Sequence, residues 1–200
     1  PTKCTARPVM IFFHVPRLKQ LEESFRAVAH HADYVTLNIS CPNTKEGKTF
    51  EDPEALRGLL DRVLPVRDEI APKLPVLLKL APPPNIDSDN HASALDAAEE
   101  LAKIASSRNI QGFVCTNTAG DRANLTTNSA LLKEIGNGGL SGEPIFERSQ
   151  ALIKRVYKAT NGELPIIGVG GISSPERAYQ TIKSGASLVQ VYTGLVYEGP

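Results

Sequence analysis

Six short runs of apolar, often β-branched residues punctuate this chain: Pro8–Phe13, Tyr34–Asn38, Pro75–Ala81, Gln111–Thr116, Leu164–Val169 and Ser187–Val191. Runs without polar alternation read as strands buried on both faces, which is the habit of a parallel sheet. Helical stretches separate them. Leu18, Leu21, Phe25 and Val28 recur at helical spacing up to His31, and Asp52-Pro53 sets an N-cap and an N1 proline ahead of the stripe Leu56, Leu59, Leu60 and Val63. An alanine-rich helix is expected from about His91 to Ser107. Another is expected over Pro144–Thr160 with its stop at Gly162, and a last one from Ser174-Pro175 to Gly185. Gly120–Gly142 reads as loop.

Strand and helical crossover thus alternate six times, which defines an α/β chain. The expected architecture is a (β/α)8 TIM barrel, of which residues 1–200 supply the last six βα units as a single domain incomplete at both ends. On that reading two βα units precede residue 1 and a helix follows Pro200. An open doubly wound sheet is the alternative.

Composition narrows the function classes. With 41% hydrophobic residues in 200, one sizeable core is affordable, and 22 acidic against 22 basic residues leave no electrostatic case for nucleic acid. Cys4, Cys41 and Cys115 show neither CxxC nor metal-type spacing, so a metal site is not expected and a reducing compartment is. No apolar run is long enough to span a bilayer.

The chemistry-bearing residues gather where strands end. Tyr34–Asn38 runs into Ile39-Ser-Cys-Pro-Asn-Thr44, and in a barrel that end is where side chains reach ligand. Cys41, a thiol between Ser40 and Pro42, suits a nucleophile or general base. Lys79 interrupts an apolar strand near its end, a position where an inward ammonium should meet an anion. Asn38, Asn43, Thr44, Asn117 and Thr118 offer neutral donors and acceptors for a planar ligand with amide and carboxylate edges. Gly138-Gly-Leu-Ser-Gly142 and Gly168-Val-Gly-Gly171 let backbone approach a ligand closely. Barrels build phosphate sites after their last two strands, which places Gly170, Gly171, Tyr192 and Thr193 around a phosphate of a flavin mononucleotide or a sugar. His30, His31 and His91 read as solvated, and Cys115 as structural.

Asn38-Ile-Ser-Cys-Pro-Asn-Thr44, Leu78-Lys-Leu-Ala-Pro82, Thr116-Asn-Thr118, Gly138-Gly-Leu-Ser-Gly142, Ile167-Gly-Val-Gly-Gly171 and Val189-Gln-Val-Tyr-Thr193 together resemble dihydroorotate dehydrogenase, in that family's order. The resemblance implies an FMN-dependent barrel that oxidises dihydroorotate to orotate in pyrimidine biosynthesis. Carried across, Cys41 is the general base. Asn38, Asn43, Thr44, Asn117 and Thr118 hold the substrate. Asn38, Lys79, Thr116, Gly142, Val169, Gly170, Gly171, Tyr192 and Thr193 hold FMN. The glycine, Thr-Asn-Thr and Tyr-Thr signatures resemble the quinone-linked class, which usually has serine where this chain has Cys41, whereas the soluble class has cysteine. Ile11-Phe-Phe-His-Val-Pro16 also departs from the family's Asn-(Ile/Leu)-Gly-Lys first strand. Quinone is the implied oxidant, and the implied location is cytoplasmic or peripheral on the inner membrane, with contact through segments outside these residues. Two other readings remain: an FMN barrel acting on a dihydropyrimidine or dihydrouridine, and a non-catalytic barrel that binds a phosphate ligand.

Overall fold

The computed structural model describes residues 8–12, 18–40 and 50–199. Within these residues, six strands form one parallel sheet: β1 (Pro8–Phe12), β2 (Tyr34–Asn38), β3 (Val76–Leu80), β4 (Gly112–Cys115), β5 (Ile166–Val169) and β6 (Leu188–Gln190). Their order in the sheet is their order in the chain. A doubly wound sheet reverses direction at a switch point. Sequential order has no such reversal and is the winding of a barrel wall. The helices are α1 (Leu18–Ala29), α2 (Pro53–Ile70), α3 (His91–Ser107), α4 (Ser129–Ile135), α5 (Phe146–Ala159), α6 (Pro175–Lys183) and α7 (Thr193–Glu198), with a 3-10 turn at Glu143–Ile145 leading into α5.

The strand pleat sorts side chains onto two faces. Val35, Leu37, Val76, Leu78, Leu80, Phe113 and Ile166 pack outward into the main core, against Leu56, Leu59, Leu60 and Val63 of α2 and Leu152, Ile153 and Val156 of α5. Leu77, Val114 and Ile167 form a second, smaller cluster on the opposite face, flanked by Tyr34 and Val169. On that face the Tyr34 side chain meets the Gln190 side chain. Their strands are four spacings apart, about 19 Å in a flat sheet at ~4.8 Å per strand, well beyond the reach of both side chains. The sheet is therefore curled, with the second cluster on its concave side.

Local chemistry accounts for the helix boundaries. The Asp52 carboxylate accepts from the Ala55 N–H at 2.9 Å and Pro53 opens α2. Ser174 caps α6 from its side chain, again followed by proline. At the far end of α5, Gly162 adopts φ +69°. Two elements depart from the sequence expectation. The stretch read as loop contains α4, none of whose residues is buried, and α7 follows β6 directly. Both are short helices with no buried apolar stripe for a period to reveal.

A core this layered should respond unequally to truncation. Phe113 is fully buried, so Phe113→Ala is expected to cost about 3–5 kcal/mol. Asp52→Ala removes only one cap, at about 1 kcal/mol. Urea unfolding midpoints of the two variants measure the difference, and equal losses would contradict the layering described above.

Candidate functional site

Asn38, at the end of β2, is paired in register with Lys79 of β3, which in turn is paired with Val114 of β4. Thr116 lies two residues beyond Val114, and Val169 pairs with Gln190. Because alternate residues share a face, this register aims a polar row at the concave side near the strands' C-terminal ends.

Asn38 is 2% exposed and forms the centre of a hydrogen-bond node. Its Oδ1 accepts from the Asn117 side-chain amide at 3.1 Å and from the Ser40 hydroxyl at 3.3 Å. The same Asn117 amide donates to Ser40 Oγ at 2.9 Å and to the Ser40 carbonyl at 3.2 Å, while Asn117 Oδ1 accepts from the Thr118 N–H at 2.9 Å. Further along, the Asn117 backbone N–H donates to Leu80 O and the Thr116 N–H to Val169 O, which ties the end of β4 to both neighbours. Thr116 Oγ1 and Ser149 Oγ are 3.2 Å apart, and Ser149 Oγ also donates to Ile145 O at 3.0 Å.

These groups back a cleft of about 530 Å³. Lys79, Thr116, Asn117 and Thr118 form one wall; Ser141, Gly142, Gly170 and Gly171 form another; and Val169, Gln190, Tyr192 and Thr193 close the side at β6. The sequence-expected residues Lys79, Thr116, Asn117, Thr118, Gly142, Val169, Gly170, Gly171, Tyr192 and Thr193 thus surround one cavity. Asn38 does not line it and reaches it through Asn117. Cys41, Asn43 and Thr44 lie outside the described residues.

The two glycine segments interlock. A Cβ on Gly170 would lie 2.2 Å from Ser149 Oγ, and one on Gly171 would lie 2.6 Å from the Phe146 Cβ and 2.9 Å from the Gly142 carbonyl. Both have positive φ, +124° and +70°, so glycine is needed here for space as well as for conformation. Thr193 Oγ1 donates to Ser141 Oγ at 3.0 Å and joins the β6 rim to the other glycine loop.

The segment between β4 and α5 is held by charge. Arg148 of α5, its side chain 3% exposed, makes a two-pronged ion pair with Asp121 at 2.6 and 3.0 Å. Burial pushes the Asp121 carboxyl up, but Arg148 and the Ala123 N–H together outweigh it and hold the group below its ordinary range. Arg122 donates to the carbonyls of Leu132, Gly136 and Gly138, fixing the segment that carries α4.

Several participants escaped the sequence reading. Ser149 could have been noticed as a hydroxyl amid the apolar stripe Leu152, Ile153 and Val156, and Gln190 by counting back two residues from Tyr192 along the pleat. Ser141 sat inside a motif already singled out. One expectation needs correcting: His91 is not solvated but half-buried, with Nδ1 2.8 Å from the Pro84 carbonyl. Cys115 is fully buried in the core, which pushes its thiol pKa far up and makes it inert. Among the described residues, no cluster of three or more His, Cys, Asp or Glu could hold a metal, and no helix is long and apolar enough to cross a membrane.

Burial lowers the Lys79 pKa from its ordinary 10.5. The folded protein therefore releases that proton at a lower pH than the unfolded chain does. Between the lowered value and 10.5 the unfolded state holds more protons, so Lys79 makes stability rise with pH in that window. Below the window both states are charged and the cost of burying the ammonium is constant. Lys79→Met abolishes this slope. In urea unfolding from neutral pH to the ordinary lysine value, parent stability minus variant stability is expected to become more positive as pH rises. A flat difference would show that the ammonium is not desolvated.

Comparison with known proteins identifies the family. Residues 5–200 match the family model described as "Dihydroorotate dehydrogenase". A protein of Acidithiobacillus ferrooxidans named dihydroorotate dehydrogenase (quinone) is 43% identical over 176 residues, 86% of this chain and 45% of that protein. One of the same name from Trichodesmium erythraeum is 40% identical over 184 residues, 89% of this chain and again 45% of the relative. The chain spans about half the length of the curated relatives it matches. Among solved structures, the crystal structure of DHODH in complex with ferulenol from Eimeria tenella superposes with a TM-score of 0.77 at 28% identity, over 92% of this chain and 50% of that one. With nearly every residue inside the family match, and a sequential α/β wall superposing on a family member, this chain belongs to the dihydroorotate dehydrogenase family.

Proposed function

We propose that this chain is part of an FMN-dependent dihydroorotate dehydrogenase barrel that oxidises dihydroorotate to orotate, with a quinone as the final oxidant. The observation that carries the reading is the convergence of Lys79, Thr116, Asn117 and Thr118 with two interlocked glycine loops around one cleft. The relatives' names supply the substrate and the oxidant.

The donor set fits a flavin mononucleotide. A cleft of about 530 Å³ falls within the ~300–1,000 Å³ usual for cofactor sites. Its lining supplies the Lys79 ammonium, the side-chain amides of Asn117 and Gln190, several hydroxyls, and glycine backbone at Gly142, Gly170 and Gly171. Lys79, Thr116 and Val169 would hold the ring system together with Asn38, while Gly142, Gly170, Gly171, Tyr192 and Thr193 would hold the phosphate end. Bound flavin supplies a two-electron acceptor for the hydrogen leaving substrate C6 with its electron pair.

The remaining chemistry is the chain's own. Lys79 provides fixed positive charge in a partly desolvated place, where charge is worth more than in water. Asn117 and Thr118, with Asn38, Asn43 and Thr44, would orient the substrate through neutral hydrogen bonds that suit its amide edges. Asn117 is pinned through Asn38 and Ser40, so its orientation is set before ligand arrives. Cys41 Sγ would take the C5 proton. A thiol with an ordinary pKa of about 8.5 needs much less help to act as a base than a serine hydroxyl would.

The test is the visible spectrum of the complete protein before and after anaerobic dihydroorotate. Flavin absorbance that bleaches on addition supports the reading; yellow protein that does not bleach removes the substrate, and protein that cannot be reconstituted with FMN removes the cofactor. Cys41→Ala is expected to slow the bleaching by roughly 10²–10⁴-fold with orotate affinity little changed. An unaltered rate would move the base elsewhere, with Ser40 the next candidate.

A further inference from the structure

Arg177, on α6, does not line the cleft, yet it touches both loops that form the cleft's glycine end. Its Nη1 donates to the Gly171 carbonyl at 2.9 Å, and its Nη2 pairs with Glu143 Oε1 at 2.5 Å. Its guanidinium also lies 4.8 Å from the centre of the Phe146 ring. Glu143 directly follows Gly142, whose carbonyl lies against Gly171. One side chain, 24% exposed, therefore clamps the loop after β5 to the loop before α5.

We propose that Arg177 is a positioning residue for the phosphate end of the flavin, a reading that rests on the FMN assignment above. The peptide unit is planar and trans, so the Ile172 N–H points opposite to the Gly171 carbonyl. Arg177 holds that carbonyl from outside the cleft, and the Ile172 N–H is thereby turned toward the cleft that Gly171 and Ile172 line. An N–H held in this way is a preorganised donor for a phosphate oxygen. The ion pair has a second effect. It offsets the Glu143 carboxylate, which directly follows Gly142 of the cleft lining and would otherwise add negative charge near a bound dianion. Lysine cannot reproduce the role, because one ammonium lacks the planar fork that reaches a carbonyl and a carboxylate together.

FMN and riboflavin differ only in the phosphate, so their relative affinity isolates this function from general damage to the cleft. Fluorescence titration of the complete apoprotein with each flavin is to be made for the parent, Arg177→Met, Arg177→Lys and Glu143→Gln, with thermal unfolding of each alongside. Arg177→Met is expected to weaken FMN on the order of tenfold, as for loss of one well-placed donor, and to leave riboflavin unchanged. Arg177→Lys should recover part of the FMN affinity, and Glu143→Gln should keep it at or above the parent value. An equal loss for both flavins would make Arg177 merely structural, and an unchanged FMN affinity in folded Arg177→Met would overturn the proposal alone. A parent protein that binds neither flavin would overturn the FMN reading and this inference with it. If Arg177→Met fails to fold, the same selectivity read on Arg177→Lys decides.

Discussion

The register of the parallel sheet decides which side chains in this protein can meet. Asn38 faces the same way as Lys79 because they are paired, and Lys79 the same way as Val114 for the same reason. A slip of one residue in β3 would turn Lys79 into the helix layer and swing Leu78 and Leu80 onto the concave face. Burial of Leu78 and Leu80 against the helices prevents that slip. The apolar layer thus fixes the polar one. Sequential winding adds a second consequence: each βα loop leaves the sheet at the same rim, so residues far apart in sequence, such as Ser40, Asn117 and Thr193, end on one side of the molecule.

Much of this was legible in the chain because its causes are local. Tyr34–Asn38 and His91–Ser107 have the bounds that hydrophobic period and flanking residues give them, and the Asp52-Pro53 and Ser174-Pro175 starts follow from side-chain capping. Strand-end residues were legible for the same reason, since a strand's period and its stop can be read without knowing its neighbours. Sheet order was not. A barrel wall and a doubly wound sheet share the same alternation, and only the pairing separates them. Groups that act across the fold were also hidden. Arg148 and Asp121 are 27 residues apart and Thr116 and Ser149 are 33 apart, so nothing near either partner marks the pair.

Polar groups behind the cleft are costly to bury, and the structure meets that cost by satisfying them. Among the described residues, every buried side-chain nitrogen and oxygen has a hydrogen-bond partner. Asn38, Ser40, Thr116 and Ser149 are buried and Asn117 is partly so, and a buried group that lost its partner would cost ~1–3 kcal/mol. Such a network has few alternative arrangements. It holds Asn117 and Thr116 in one orientation, which an apolar filling of equal volume could not do.

Lys79 sets the electrostatic character of the cleft wall. Its side chain is half-buried, and desolvation lowers its pKa from the ordinary lysine value. A group in that position is relieved by any ligand that brings negative charge beside it, and it penalises a ligand that brings positive charge. Glycine backbone at Gly142, Gly170 and Gly171 in the same lining can make the same selection without a side chain. The cleft therefore favours negative charge beside Lys79 over positive charge. That preference follows from the energetics of the site itself, independently of the family to which the chain belongs.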